Sequence, residues 1–221
     1  MNFYIGYDST QPLISQVCYS SMLEWVNNKN ITLLKLNDLS YCYNRKHDNK
    51  QATEFSFTRF LVPYLNGYKG WAVFCDGDFL WLKDPQDLLQ YCDTQYAVRC
   101  VKHDINQEQL TSIKMDNKVQ AWYPRKNWSS LMLINCAHPL VRKLTPEIVN
   151  TSPASYLHQL DWAEDYIGDL PIGYNFLVGY YPEQENIHAL HFTDGVPIHP
   201  GYENCEYSDL WKNQLSSLIN T

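Results

Sequence analysis

The stretch "WAVFCDGDFLWLKDP", residues 71–85, interrupts an apolar run with two acids and then resumes it. Trp71 to Cys75 reads as a buried strand, and Phe79 to Leu82 as a second apolar run. Asp76 and Asp78 stand between them, one residue apart. In extended backbone, side chains at i and i+2 share a face. Both carboxylates are ionised at neutral pH, and Gly77 lets the chain bend and a ligand approach closely. Two such charges repel unless a cation lies between them. Hard divalent ions such as Mn²⁺ or Mg²⁺ suit carboxylate oxygens and share phosphate ligands readily. The alternative is a solvated Asp-Gly turn. Such a turn needs no second apolar run directly behind it, so placement favours a cation site.

Length and composition set the frame. A chain of 221 residues with 45% hydrophobic and 19% charged side chains has enough apolar material for one globular domain, 1–221. Seventeen Lys and Arg against 24 Asp and Glu leave a net charge of −7. That argues against a nucleic-acid partner, which calls for a basic stripe. Seven cysteines without a C-x-x-C pair suggest buried thiols rather than a disulfide framework or a structural zinc site. "MNFYIGYDS" has neither the basic start nor the apolar core of a signal peptide, and no run reaches the ~20 residues of a membrane span. A reducing, cytoplasmic setting is expected, in which the sequons at Asn30, Asn127 and Asn150 are chance matches.

Strand and helix signals alternate along the chain. "NFYIGYD" ends a first strand, with Asp8 or Ser9 placed to cap a helix over 11–27. Further strands are predicted at 31–36, 70–75, 96–101, 130–136 and 188–192. Helices are predicted at 54–62, interrupted at Pro63, after Asp84 with Pro85 in the first turn, and from Ser208 onward. The alternation predicts an α/β fold with a mainly parallel sheet covered on both faces. Ligands then bind beyond the carboxyl ends of the strands, where Asp8 and Asp76 would sit.

Several stretches resemble nucleotide-sugar-dependent glycosyltransferases of the GT-A fold, in particular glycosyltransferase family eight and its short bacterial and viral relatives. They are "FYIGYDS" (3–9), "FSFTRFLVP" (55–63), "CDGD" (75–78), "VKHD" (101–104), "NWSSLMLIN" (127–135), "DWAEDYIGDLPIGYNFLVG" (161–179) and "LHFTDGVP" (190–197), in the family's order. The resemblance implies a Rossmann-like nucleotide-binding half and an acceptor-side C-terminal half. It implies Mn²⁺ or Mg²⁺ held by Asp76, Asp78 and His191. It implies donor contacts from Gly6, Tyr7, Asp8, Arg59, Asp76, Gly77, Lys102, His103, Asn135, Gly195 and His199, with Asn175 as a further hydrogen-bonder. A catalytic carboxylate is expected among Asp161, Glu164 and Asp165, with Asp165 first. Two departures stand out. Gly195 lies four residues after His191 rather than three, with His199-Pro200 where the family has Lys-Pro. Ser129 and Ser130 replace the glycine of the N-x-G stretch.

The expected activity is transfer of a sugar from a nucleoside-diphosphate donor, UDP-linked by resemblance, to a hydroxyl of a carbohydrate or glycoconjugate. A divalent ion also explains how an acidic chain receives a diphosphate. The competing readings are a metal-dependent nucleotide-sugar hydrolase, a nucleotidyltransferase and a non-catalytic carbohydrate-binding protein. "IGYDSTQP" lacks the Gly-rich basic loop of a nucleotidyltransferase.

Overall fold

The computed structural model describes residues 1–46, 51–105 and 123–219; most of the 103–127 loop expected to bear on the acceptor lies outside them. In chain order the elements are β1 (Asn2–Gly6), α1 (Pro12–Leu23), β2 (Ile31–Leu34), α2 (Val62–Leu65), β3 (Trp71–Cys75), β4 (Phe79–Trp81) and β5 (Val98–Cys100). There follow β6 (Leu131–Asn135), α3 (Pro146–Thr151), α4 (Ala154–His158), β7 (Ile167–Asp169), β8 (Phe176–Leu177), β9 (Ala189–His191) and α5 (Ser208–Ile219).

Six strands form the central sheet, in the order β2-β1-β3-β6-β5-β7. β1 runs parallel to β2 and β3, and β5 parallel to β7, as the alternation predicts. β6 runs antiparallel to both of its neighbours, β3 and β5. A strand buried on both faces is apolar throughout whichever way it points, so its direction leaves no mark on the pattern.

Alternation along each strand divides the core. Phe3, Ile5, Val73, Cys75, Leu131 and Leu133 face one side, where Cys18 and Met22 of α1 cover them. Tyr4, Ala72, Phe74, Met132 and Ile134 face the other, beneath Phe55–Val62 and Leu157–Ala163. A second sheet, β4-β9-β8, packs with Ile14 and Val17 of α1 and with Trp211 of α5. α1 thus joins the two sheets.

Local chemistry corrects several expected boundaries. Pro63 does not interrupt a helix. A 3₁₀ turn, Thr58–Leu61, runs into α2, and Pro63 sits in the first turn of that helix. There a missing N–H leaves no intrahelical bond unmade. Pro85–Tyr91 is likewise 3₁₀, capped by Asp84 through the N–H of Gln86. Neither Asp8 nor Ser9 caps α1, whose N-cap is Gln11. Asp8 instead accepts from the backbone and hydroxyl of Thr10 (2.9 and 2.6 Å) and from the N–H of Glu54 (3.2 Å). Ser9 donates to the Glu54 carboxylate from backbone and hydroxyl (2.8 and 2.7 Å). These bonds tie the loop after β1 to residues 53–56. All seven cysteines are free thiols. Among the described residues no helix is long and apolar enough to cross a membrane.

Gly77 is closely packed against the end of β1 and the start of α1. A Cβ there would stand 2.6 Å from both the Gly6 carbonyl oxygen and Ser15 Oγ, and Ser15 itself donates to that carbonyl at 2.9 Å. The end of β1, the start of α1 and the acid loop therefore meet with no room for a methyl group. Gly77→Ala should destabilise the chain by about 1–3 kcal/mol through overpacking. Thermal melting would show a fall of several degrees, and an unchanged Tm would contradict this packing.

Candidate metal and donor site

The acid loop bridges the two sheets. At its start, the Asp76 N–H donates to the Ser130 carbonyl (2.9 Å), extending the ladder between β3 and β6. At its end, the Asp78 carbonyl accepts from the Phe192 N–H (3.1 Å), and Phe79 pairs with His191 across β4 and β9. That pairing sets His191 beside Asp78, with Nε2 3.3 Å from Oδ1. The Phe79 ring stacks on the imidazole at 4.5 Å. One ligand atom from each of Asp76, Asp78 and His191 lies within 4.8 Å of the others. Asp76 and Asp78 are half-buried and His191 is buried.

A chain of hydrogen bonds sets the tautomer of His191. Ser130 Oγ donates to the Asn127 carbonyl (2.6 Å) and accepts from Asn175 Nδ2 (2.9 Å). Asn175 Oδ1 is left to accept, and His191 Nδ1 donates to it at 2.8 Å. Nε2 then carries its lone pair toward the Asp78 carboxylate. A nitrogen lone pair and a carboxylate oxygen facing one space are reconciled by a cation, and two carboxylates with one imidazole nitrogen form a donor set that could hold a divalent ion. A ring nitrogen held by a fixed acceptor is the usual support of a ligating histidine.

Arg59 is buried under the loop. Its Nη1 lies 2.8 Å from Asp76 Oδ1 and donates to the Ser129 carbonyl at 2.9 Å. It orients a carboxylate from beneath rather than presenting an exposed charge. His158, at the end of α4, meets Ser129 Oγ through Nδ1 at 3.2 Å and packs edge-on to Phe60. No sequence motif marked it. Its only advance signal was a histidine in a half-polar helix, which has many ordinary explanations.

Other expected residues are sorted by the topology. Gly6 ends β1, and Tyr7 and Asp8 follow it, on the edge that bears Asp76. His199 closes the same rim: Nδ1 accepts from the Val196 N–H (3.1 Å) and Nε2 donates to Gln11 Oε1 (2.8 Å). Gly195 abuts the Tyr202 ring, which a Cβ would meet at 2.6 Å. Lys102 and His103 follow β5 on the site edge, with Lys102 Nζ 3.0 Å from Asp169. Asn135 is not at the site. It ends the antiparallel β6 opposite Trp71, the first residue of β3, and its amide donates to the Tyr96 carbonyl (3.3 Å). Glu164 and Asp165 are corrected for the same kind of reason. They precede β7, which is parallel to β5, so they lie at the far edge, while Asp169 ends β7 at the near one. Asp161, the third candidate catalytic carboxylate, lies 3.7 Å from Arg125 Nη1.

Burial shapes two imidazoles here. It pushes His103 down to about 3, with the nearby His191 adding to the effect. It pushes His158 down to about 3 as well, helped by Arg59 and Arg45. Both rings are neutral at pH 7. His103 Nδ1 is 2.8 Å from the Tyr181 hydroxyl.

No protein-family profile matches the sequence. Protein CDI of Arabidopsis thaliana is 42% identical over 221 aligned positions, which cover 96% of this chain and 85% of that protein. Among solved structures, the glycosyltransferase GlyE of Streptococcus pneumoniae TIGR4 superposes with a TM-score of 0.63 at 13% identity. That match takes in 99% of this chain but only 63% of GlyE. The galactosyltransferase LgtC, solved with donor and acceptor sugar analogs, superposes with a TM-score of 0.59 at 11% identity over 98% of this chain and 96% of its own. These likenesses show the GT-A glycosyltransferase fold that the motifs implied.

Asn175→Ala should weaken Mn²⁺ binding about 10–100-fold by freeing the His191 ring, measured by calorimetry at fixed pH. Equal affinity would mean that His191 needs no orienting partner. Folding lowers the His103 pKa from 6.5 to about 3, so below pH 6.5 the unfolded chain takes up this proton first. Stability attached to the neutral ring is complete above pH 6.5 and is lost as pH falls toward 3. By pH 5 the loss is about 2 kcal/mol. His158 carries the same shift and adds a similar decline, so urea unfolding from pH 7 to 5 should show a fall that is roughly halved in His103→Asn.

Proposed function

This chain belongs to the family of the Arabidopsis thaliana Protein CDI, and from that premise and its GT-A fold we propose that it is a metal-dependent glycosyltransferase. Its donor would be a nucleoside-diphosphate sugar, UDP-linked, and its acceptor a hydroxyl of a carbohydrate or glycoconjugate. Residues 1–221 would act as one catalytic domain. The convergence of Asp76, Asp78 and His191, with the tautomer of His191 set by Asn175, is the observation that carries the reading.

Sugar transfer breaks the bond between the anomeric carbon and the diphosphate oxygen. Negative charge grows on the diphosphate and positive charge on the ring. Asp76, Asp78 and His191 would hold a divalent ion, which supplies Lewis-acid stabilisation of the leaving group when bound. The chain's own groups prepare the site around it. Arg59 holds Asp76 in one rotamer and offsets its charge. Asn175 keeps the proton of His191 on Nδ1. The loop after β1 and the loop 192–199, joined by His199 and Gln11, frame the edge where the nucleotide is received. Groups fixed before the substrate arrives need no reorganisation as charge develops, and this is commonly the largest catalytic contribution. Seven free thiols are in keeping with a reducing, cytoplasmic compartment.

The test is a thermal-shift matrix of Mn²⁺, UDP and UDP-sugars on the parent chain and on D76N/D78N. UDP should stabilise the parent only with Mn²⁺ present, by about 2.7 kcal/mol at a hundredfold excess over Kd. The double variant should not respond. Stabilisation by UDP in excess EDTA, or none under any condition, would reject the reading. UDP release from a UDP-sugar that needs an added acceptor separates a transferase from a hydrolase.

A further inference from the structure

We infer that His103 Nε2 binds a hydroxyl of the sugar carried by the donor, an assignment that rests on the donor-binding reading above. His103 is only 5% exposed, and its Nε2 is buried with no hydrogen-bond partner among the described residues. Buried polar atoms are nearly always bonded, and an exception in a native structure calls for a reason. An atom kept ready for a ligand supplies one. The other ring nitrogen is taken. Nδ1 lies 2.8 Å from the Tyr181 hydroxyl, and the two rings stack with centroids 5.9 Å apart. The imidazole is therefore held in place with one nitrogen left to bond.

Two bonded segments carry this ring to the metal site. On one side, Trp128 Nε1 donates to the His103 carbonyl at 3.0 Å. The next two residues grip the acid loop: the Ser129 carbonyl accepts from Arg59, and the Ser130 carbonyl accepts from the Asp76 N–H. On the other side, Tyr181 follows β8. Leu177 of that strand pairs with His191, and the Val178 N–H donates to the His191 carbonyl at 3.0 Å. The register of the large sheet agrees. Arg99 of β5 and Val73 of β3 both pair with Leu133 of β6, so the two strands flank it and run the same way. Neighbouring strands lie about 4.8 Å apart, so β5 leads toward His103 roughly 10 Å from where β3 leads to Asp76. His191 is also close enough to act on the His103 ring electrostatically.

His103 nevertheless stands outside the cluster of Asp76, Asp78 and His191. It is beside the ligand set rather than in it. In the donor, the sugar is joined directly to the diphosphate that the ion would hold, so the sugar is the part that extends past that set. The hydrogen-bonding chemistry fits the same group. Whichever of Nδ1 and the Tyr181 hydroxyl donates to the other, Nε2 is left as a donor or as an acceptor. A hydroxyl does both and meets either case, whereas an ionised phosphate oxygen only accepts. A site that bonds a substrate hydroxyl discriminates against an analogue without it, so His103 would contribute to the choice of sugar.

Calorimetry in saturating Mn²⁺ on the parent, H103N and H103Q tests this, with UDP, UDP-glucose, UDP-galactose and UDP-xylose as probes. Asparagine keeps a polar atom near Nδ1 and lacks one at Nε2; glutamine reaches the Nε2 position. H103N should bind UDP within twofold of the parent and the parent's best UDP-sugar at least fivefold more weakly, the size of one neutral hydrogen bond. H103Q should recover at least half of that loss on a logarithmic scale. An unchanged UDP-sugar affinity in H103N overturns the assignment and leaves the donor reading standing. Equal weakening of UDP and UDP-sugar also overturns it, since His103 would then support the diphosphate or the ion. H103Q as weak as H103N, or failure of both variants to melt cooperatively, places the ring in the packing and overturns it as well. A parent that binds UDP but none of the three UDP-sugars overturns it equally. A parent that does not bind UDP in Mn²⁺ removes the donor reading and this inference with it.

Discussion

When β4 pairs antiparallel with β9, Phe79 comes to lie opposite His191, and the residue before Phe79 is brought against an imidazole from far along the chain. Asp78 and His191 owe their 3.3 Å separation to this register. A slip of one residue would turn His191 to the other face of the small sheet. The register is fixed by burial. Leu80, Leu190, Phe176 and Phe192 pack with Trp211 and α1, so any shift would expose apolar surface. The polar site is thus positioned by an apolar core that contains none of its chemistry.

Charge in the site is handled by pairing rather than by solvent. Asp76 is backed by a buried guanidinium, and Asp78 faces a histidine whose proton is held on the far nitrogen. Removing a charge from water costs several kcal/mol unless partners replace the solvent. Here the partners come from four separate segments: the turn before α2, the acid loop, the entry to β6 and the small sheet. Each segment contributes a main-chain or side-chain bond to its neighbour, so the two carboxylates and the imidazole are held by groups outside their own cluster.

Much of this was legible in the order of the residues. The apolar run, the Asp-Gly-Asp interruption and the second apolar run marked a strand end bearing carboxylates. The alternation of strands and helices marked an α/β fold with a mainly parallel sheet. What failed to show was direction. Leu131–Asn135 is apolar on both faces, and nothing in it says which end points to the ligand. Because β6 is reversed, its first neighbours, Ser129 and Ser130, line the site, and its last residue, Asn135, does not. The acidic stretch before β7 shows the same blindness: Asp165 was the chemically richer choice, yet Asp169 is the carboxylate that reaches the near edge.

Local patterns determined what lies between near neighbours: which runs are buried, where Gly77 lets the backbone close in, and that two aspartates share a face. These follow from the period of a strand and the size of a side chain, which act within a few residues. Only the tertiary structure decided the long-range matters. It set His191 beside Asp78, put Arg59 beneath Asp76, and gathered Asn175 and Ser130 behind the imidazole. Those placements depend on strand direction and sheet register, which are set by how whole faces bury against one another.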